Sequence, residues 1–237
     1  MRVVISQAMF FPWPGFLEQV RLADVFVHYN DVQFSKGSFT NRVQVKTAAG
    51  VRWLTVPLSG RTLEQSIAQV SIDDRENWRE RHLALMRQAY AAAPYRDDML
   101  ALLENVYAAP AASIADLSGL SLQALCNYFQ IGRQTRFMSV DELGIAGSGS
   151  QRVLDVVKAL GGDTYVTGLG GRNYLDHQAF ERAGIEVAYM NYSKTPYPQL
   201  HGDFTPFVSS LDMVANCGRE GAKLIQPSTI SWREILQ

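Results

Sequence analysis

Two stretches of this chain concentrate side chains able to do chemistry. The first, Tyr29-Asn30-Asp31-Val32-Gln33-Phe34-Ser35-Lys36 with Asn41-Arg42 close behind, packs amide, carboxylate, ammonium and guanidinium groups together. Lys36 and Arg42 are suited to neutralising a phosphate or carboxylate, and Asp31 to orienting a hydroxyl or, if burial raised its pKa, acting as a base. A solvated turn with a structural Asp/Arg pair would use the same residue types. The second stretch is Gly168-Leu169-Gly170-Gly171-Arg172-Asn173-Tyr174. Its backbone N–H groups and a following helix N-terminus can face an anion. The spacing matches neither the dinucleotide fingerprint nor the P-loop, and glycine turns also arise between strand and helix for geometric reasons alone.

The loop from Gln7 to Gly15 follows an apolar strand, where nucleotidylyltransferases and related enzymes hold ATP phosphates, but it lacks their paired histidines. That disfavours His-based adenylyl transfer. Gln7 needs a partner for its amide, and Trp13 is either a wall for a flat substrate or a core aromatic. The four histidines, His28, His82, His177 and His201, show no HExxH spacing, and no GxSxG elbow accompanies them, so a metal site and a serine hydrolase are both disfavoured. His82 lies on the apolar face of a predicted helix and reads as a satisfied core residue. His201, in the Tyr197-Pro198-Gln199-Leu200-His201-Gly202 loop, is the better acid/base candidate. Ser148 to Ser150 reads as a helix cap.

The elements that must position these residues alternate. Arg2 to Gln7 predicts a strand, Phe16 to Leu22 a helix and Asp24 to Tyr29 a second strand, together a βαβ unit on a parallel sheet. Ligands usually sit at loops leaving the C-terminal ends of such strands. Arg42 to Lys46 and Arg52 to Pro57 flank Ala48-Ala49-Gly50 as a hairpin, and Ile67 to Ile72 could add a third strand. A helical insert is expected over about 75–130, interrupted at Ala93-Pro94. Strands at Thr135 to Ser139, Thr164 to Thr167 and Ile185 to Tyr189, with helices at Ser150 to Leu160 and after Gly171, complete one doubly wound sheet. The expected fold is therefore α/β: a Rossmann-like, mainly parallel sheet in a single domain over 1–237.

Composition narrows the setting. The 237 residues are 47% hydrophobic and carry 22 basic against 23 acidic side chains, a formal net charge of -1. Such a chain can bury a sizeable core and has no global attraction to nucleic acid or anionic membranes. Cys126 and Cys217 are far apart and lack Cys/His pairing, which argues against zinc or a disulfide framework. A reduced cytoplasmic setting is expected. Val3-Val4-Ile5 is too short an apolar run for a signal peptide or a membrane span.

The order of Gln7 with Pro12-Trp13-x-Gly15, Asp24-Val25-Phe26-Val27, Asn30 to Lys36, Asn41-Arg42 and Trp53-Leu54-Thr55-Val56-Pro57 resembles the N-terminal signature of WbqC-like proteins. The likeness continues through Ala93-Pro94-Tyr95, Thr164 to Gly168, Gly170-Gly171, Tyr174-Leu175, Tyr197-Pro198-Gln199, Phe204-x-Pro206 and Leu211-Asp212. Gln7-Ala8-Met9 departs from the family's usual Gln-Pro followed by an aromatic residue or histidine. The resemblance implies sugar or surface-polysaccharide modification, since the family takes its name from a bacterial O-antigen cluster product. It also implies one site made from Asp31, Gln33, Lys36, Asn41 and Arg42 with Gly168, Gly170, Gly171, Tyr174, Tyr197 and Gln199.

The resulting expectation is a transferase that attaches an acyl or aminoacyl group to an amine on a sugar or similar small acceptor. Asp31, Lys36 and His201 are its catalytic candidates, and Gln7 and Trp13 join the binding residues. The expected partner is a small-molecule substrate, either free or linked to a carrier or coenzyme A; the cofactor is left open, with no metal expected. The alternatives are an ATP-dependent ligase, prompted by Ser228-Thr229-Ile230-Ser231-Trp232-Arg233, and a non-catalytic binder of a carrier-linked substrate.

Overall fold

In the computed structural model, which describes residues 1–60, 62 and 64–235, strand β1 (Arg2–Ser6) lies inside the main sheet with Val3, Val4 and Ile5 all buried. A continuous apolar run is the signature of a strand covered on both faces. It is followed by helix α1 (Pro14–Leu22) and strand β2 (Val25–His28). β1 and β2 pair in parallel, Val4 opposite Phe26. The expected βαβ unit is present.

Strands β3 (Arg42–Thr47) and β4 (Gly50–Thr55) form the antiparallel hairpin, with Thr47 opposite Gly50. Gly50 has φ +95°, a conformation that favours glycine. The segment at Ile67 to Ile72 departs from the expected single strand. It divides into a 3-10 turn at Ile67–Gln69 and the two-residue β6 (Ser71–Ile72), which pairs with β5 (Leu58–Ser59). Ser66 and Gln69 form a capping box that starts the turn and diverts the backbone from a ladder.

Three helices follow: α2 (Trp78–Ala89), α3 (Arg96–Ala108) and α4 (Ile114–Phe129). Strand β7 (Arg136–Ser139), helix α5 (Gly149–Ala159), strand β8 (Thr164–Thr167), helix α6 (His177–Arg182) and strand β9 (Glu186–Met190) then alternate. The turn after Gly168 is a 3-10 segment, Leu169–Asn173, and the helix expected after Gly171 begins only at His177. Helix α7 (Ser210–Cys217), strand β10 (Thr229–Ser231) and helix α8 (Trp232–Ile235) are the last elements among the described residues.

The main sheet has six strands in the order β10-β9-β8-β1-β2-β7. All neighbours are parallel except β10, which is antiparallel to β9. One face, with Val4, Phe26, Val166 and Ala188, packs on α1, α2, α3, α4 and α7. The other, with Val3, Val25, Val27, Tyr165 and Val187, packs on α5 and α6. From β1 the chain winds through β2 to β7, then crosses back to β8 and β9. Loops leaving β1 and β8 therefore diverge across a crevice at their C-terminal ends.

Local packing explains part of the sequence pattern around that crevice. Trp13 precedes α1, and a Cβ on Gly15 would stand 2.0 Å from its ring. Gly15 is thus the space into which the indole folds. Substituting Gly15→Ala is expected to cost about 1–3 kcal/mol by overpacking, measured by urea unfolding. In a Trp13→Ala background the same change should be nearly neutral; an equal loss in both backgrounds would mean the indole is not the obstacle.

Candidate functional site

At the C-terminal ends of β1, β2 and β8 lies an open cleft of about 620 Å³. Ser6, Gln7, Ala8 and Met9 form its floor, with Trp13, Phe16 and Gln19 from the start of α1. Tyr29 and Val32 enter from the segment after β2, Ser38 to Thr40 from the approach to β3, and Gly147 to Gly149 from the start of α5. Thr167, Gly168, Gly170, Gly171 and Tyr174 close the side beyond β8. The pairing of β1 between β2 and β8 is what makes these distant segments neighbours.

The loop leaving β1 is fixed from several directions. Ala8 N–H donates to Asn30 Oδ1 at 3.0 Å, and Phe11 N–H donates to Ser121 Oγ at 2.9 Å. Phe11 O accepts from Ser209 Oγ at 2.8 Å, and Pro12 O from the Ser210 N–H at 2.9 Å. Phe11 sits at φ +37°, a strained conformation for a bulky residue that these four contacts hold in place. On the opposite side, a Cβ on Gly171 would meet Leu175 and Thr167 at 2.9 to 3.2 Å. That glycine is required by packing, whereas Gly168 and Gly170 are unobstructed and face the cleft.

The lining is uncharged. Among the described residues it contains no Asp, Glu, Lys, Arg or His. Burial pushes the hydroxyls of Tyr29, Tyr165 and Tyr174 above the usual tyrosine range, so each remains protonated at neutral pH. Tyr174 and Thr167 lie close enough to Tyr165 to bear on its ionisation. The cleft therefore offers hydroxyls, amides, backbone groups and aromatic faces.

The residues expected to form one site divide among several places. Gln7, Trp13, Gly168, Gly170, Gly171 and Tyr174 meet in the cleft. Asp31 stands behind Tyr29, where Arg152 grips both its oxygens. Arg152 also donates to Ile145 O at 2.9 Å and lies 5.0 Å from the Tyr29 ring centre. Gln33 is exposed and bridges to Ser66, and Lys36 is exposed. Asn41 is buried with its amide donating to Val56 O at 2.9 Å, while Arg42 stacks 4.3 Å from the Trp53 ring centre.

Tyr197, Gln199 and His201 belong to a different network. The buried Lys46 donates to Gln199 Oε1 at 3.3 Å and to the carbonyls of Gly202 at 3.0 Å and Asp203 at 2.6 Å. Tyr90 donates to Asp212 at 2.8 Å, and burial pushes the Asp212 carboxyl above its usual range, with Tyr197 beside it. His201 bonds through Nε2 to Ala89 O at 2.6 Å. Of these, Lys46 and Asp212 escaped the sequence reading as chemically active groups.

Arg152 escaped it as well. The available signal was a cation inside the apolar stripe of α5 beside Val153, Leu154, Val156 and Val157, which requires an opposite charge. Its partner lies 121 residues away, too far for spacing to reveal.

The WbqC-like protein family model matches residues 7–224, a span containing every cleft residue except Ile5 and Ser6 at the end of β1. The chain belongs to the WbqC-like protein family. It is similar to the uncharacterized protein Rv1507c of Mycobacterium tuberculosis, 30% identical over 223 residues, covering 92% of this chain and 95% of that one. No solved structure matches. In this WbqC-like chain no helix among the described residues is long and apolar enough to cross a membrane.

One buried acid adjoins the cleft without lining it. Glu18, on α1, is fully buried, and neither of its oxygens accepts a hydrogen bond among the described residues. Burial pushes its carboxyl from 4.5 up to about 7, against the weaker pull of Arg21. The folded protein thus holds a proton that the unfolded chain releases between these values, so stability falls as pH rises through that window.

Two outcomes follow. Arg152→Met should destabilise the fold by about 2–3 kcal/mol, because Asp31 is left without its partner, and Arg152→Met with Asp31→Asn should lose clearly less than the two single changes added together; additive losses in denaturant unfolding would sever the link. Glu18→Gln should gain roughly 3 kcal/mol relative to the natural chain between pH 4.5 and pH 8. A pH-independent difference in unfolding free energy would show that Glu18 ionises without penalty.

Proposed function

We propose that this WbqC-like protein is a transferase that attaches an acyl or aminoacyl group to an amine of a sugar or similar small acceptor, within surface-polysaccharide or natural-product biosynthesis. The observation that carries this reading is the neutral cleft at the reversal of strand order. Hydroxyl and amide groups beside the aromatic faces of Trp13, Tyr29 and Tyr174 suit a ligand with many hydroxyls, and aromatic rings suit the apolar face of a sugar. The parallel strands, taken in chain order, lie 3-2-1-4-5, which supports a Rossmann-like description with the ligand at its switch point.

In this reading Gly168 and Gly170 approach an anionic or developing oxyanion group, and the Tyr29 and Tyr174 hydroxyls donate to it. The amine nitrogen attacks the acyl carbon of an activated donor such as a thioester. The new C–N bond replaces the C–S bond, and the amine proton passes to the departing thiolate. A leaving group that accepts the proton itself removes the need for a base in the lining. Asp31 acts through Arg152 by holding Tyr29 and α5 rather than by touching substrate. Lys36, before β3, and Arg42, its first residue, serve the charged part of a carrier- or coenzyme-linked donor. Ser228 to Arg233 is kept out of this mechanism, because it forms β10 and the start of α8 at the sheet edge, with Trp232 stacked 5.0 Å from His177.

The lack of an acid or imidazole in the described lining also favours a second reading, a non-catalytic binder of a carrier-linked substrate. Thermal-shift titration with acyl-coenzyme A esters, ATP, nucleotide sugars and amino acids separates them. Acyl transfer predicts stabilisation by acyl-coenzyme A and an amine-dependent release of thiol that falls at least tenfold in Tyr174→Phe with folding intact. Stabilisation by ATP alone would replace it with the ligase reading. Binding of donor and acceptor without thiol release would leave the binder.

A further inference from the structure

A second hollow, of about 460 Å³, lies between the hairpin of β3 and β4 and the end of α2. Its size suits a small molecule. Arg52 and Trp53 line it from β4, Leu85, Gln88 and Ala89 from α2, and His201 from the loop before α7, while the turn of the hairpin closes it. Among the described residues this lining carries no carboxylate, and the Arg52 side chain makes no hydrogen bond or ion pair. The three arginines of α2, Arg79, Arg81 and Arg87, are by contrast each met by an acid. A guanidinium at a concave wall without a countercharge is free to meet an anion, and its planar fork matches a phosphate.

Two further parts of the wall are held in place. The Trp53 indole is 40% exposed and is braced by the Arg42 guanidinium, 4.3 Å from its ring centre, which in turn donates to Gly37 O. This gives a fixed aromatic surface for a flat ring. His201 has φ +65°, a left-handed conformation that a residue other than glycine keeps only under constraint. The constraint is supplied by its Nε2, which donates to Ala89 O at 2.6 Å, and by Lys46, which donates to the next two carbonyls, of Gly202 at 3.0 Å and Asp203 at 2.6 Å. With the proton of a neutral imidazole on Nε2, Nδ1 is an acceptor. It has no partner among the described residues.

The hollow adjoins the cleft through aromatic rings. Phe39 lines the cleft, and its ring centre lies 5.5 Å from that of Trp53. A ligand that passes these two rings reaches both cavities.

We infer that the hollow is a subsite for a nucleoside phosphate, with the base on Trp53 and the phosphate on Arg52. Gln88 meets the edge of the base, and His201 Nδ1 accepts from an amino or hydroxyl group of the nucleoside. This rests on the proposed acyl-transfer reading and specifies its donor, a coenzyme A thioester. The nucleotide end occupies the hollow, and the pantetheine arm passes Phe39 to carry the acyl group into the uncharged cleft. The charged end of the donor thereby stays outside a lining that has no cation to meet it.

Calorimetric titration of the full chain with coenzyme A, its adenosine bisphosphate fragment, pantetheine and inorganic phosphate tests this, with the Trp53 indole N–H followed by nuclear magnetic resonance. Coenzyme A and the fragment should both bind and shift the Trp53 signal, and pantetheine should bind about tenfold more weakly than coenzyme A or less. Arg52→Ala and Trp53→Ala, at exposed side chains, should each weaken coenzyme A and the fragment by about tenfold or more. Arg52→Lys should recover only part of that loss, because it keeps the charge without the fork. Equal affinity in the natural chain and Arg52→Ala, no binding of the fragment, or phosphate binding as tight as the fragment's overturns the subsite. Acyl transfer itself still stands in that case if acyl-coenzyme A gives amine-dependent thiol release. Arg52-dependent binding of the fragment with no thiol release from any acyl-coenzyme A upholds the subsite and removes the transfer reading.

Discussion

Strand β1 has to hide three consecutive apolar side chains on two faces of one sheet, and the remaining elements are arranged around that requirement. Val4 faces α1 and the helices α2 to α4, while Val3 and Ile5 face the layer of α5 and α6. Helices must therefore lie on both sides, and β1 must have a neighbour on each edge. The neighbours are β2 and β8, reached in opposite directions along the sheet. The cleft is the geometrical result: two loops leaving adjacent parallel strands turn away from one another.

A few polar contacts then make the cleft a fixed shape. Arg152 draws Asp31 and Tyr29 toward α5, and its bond to Ile145 holds the segment before that helix. Ser121 and Ser209 hold the strained Phe11 from α4 and from the cap of α7. These charges and hydroxyls are engaged with protein, so the surface presented to a ligand is left neutral. The network around Lys46 and Asp212 has the same character. It ties β3, α2 and α7 to the Gln199 to Asp203 loop, and it accounts for why Gln199 and His201 stand away from the cleft lining.

Much of the sheet could be read along the chain because its strands are short, apolar and bounded by turn formers. β8 begins and ends where the pattern of Thr164 to Thr167 places it, and the hairpin closes around Ala48-Ala49. The last third was harder to read. α7 is short and buried almost all round, so it lacks the polar face that gives a helical period. β10 has only three residues and takes its identity from pairing with β9.

The sequence by itself determined the family, the alternation of strands and helices, and the presence of two polar clusters at strand ends. Those properties depend on local spacing and on the order of motifs along the chain. Tertiary structure alone decided that Gln7 and Trp13 meet Gly168 to Tyr174, that Asp31 is engaged by Arg152, and that Tyr197, Gln199 and His201 gather around Lys46 instead. It also decided that Glu18, written into an otherwise ordinary amphipathic helix, is covered completely. The physical reason is that pairing and burial are set by contacts across more than a hundred residues, where neither periodicity nor spacing carries information.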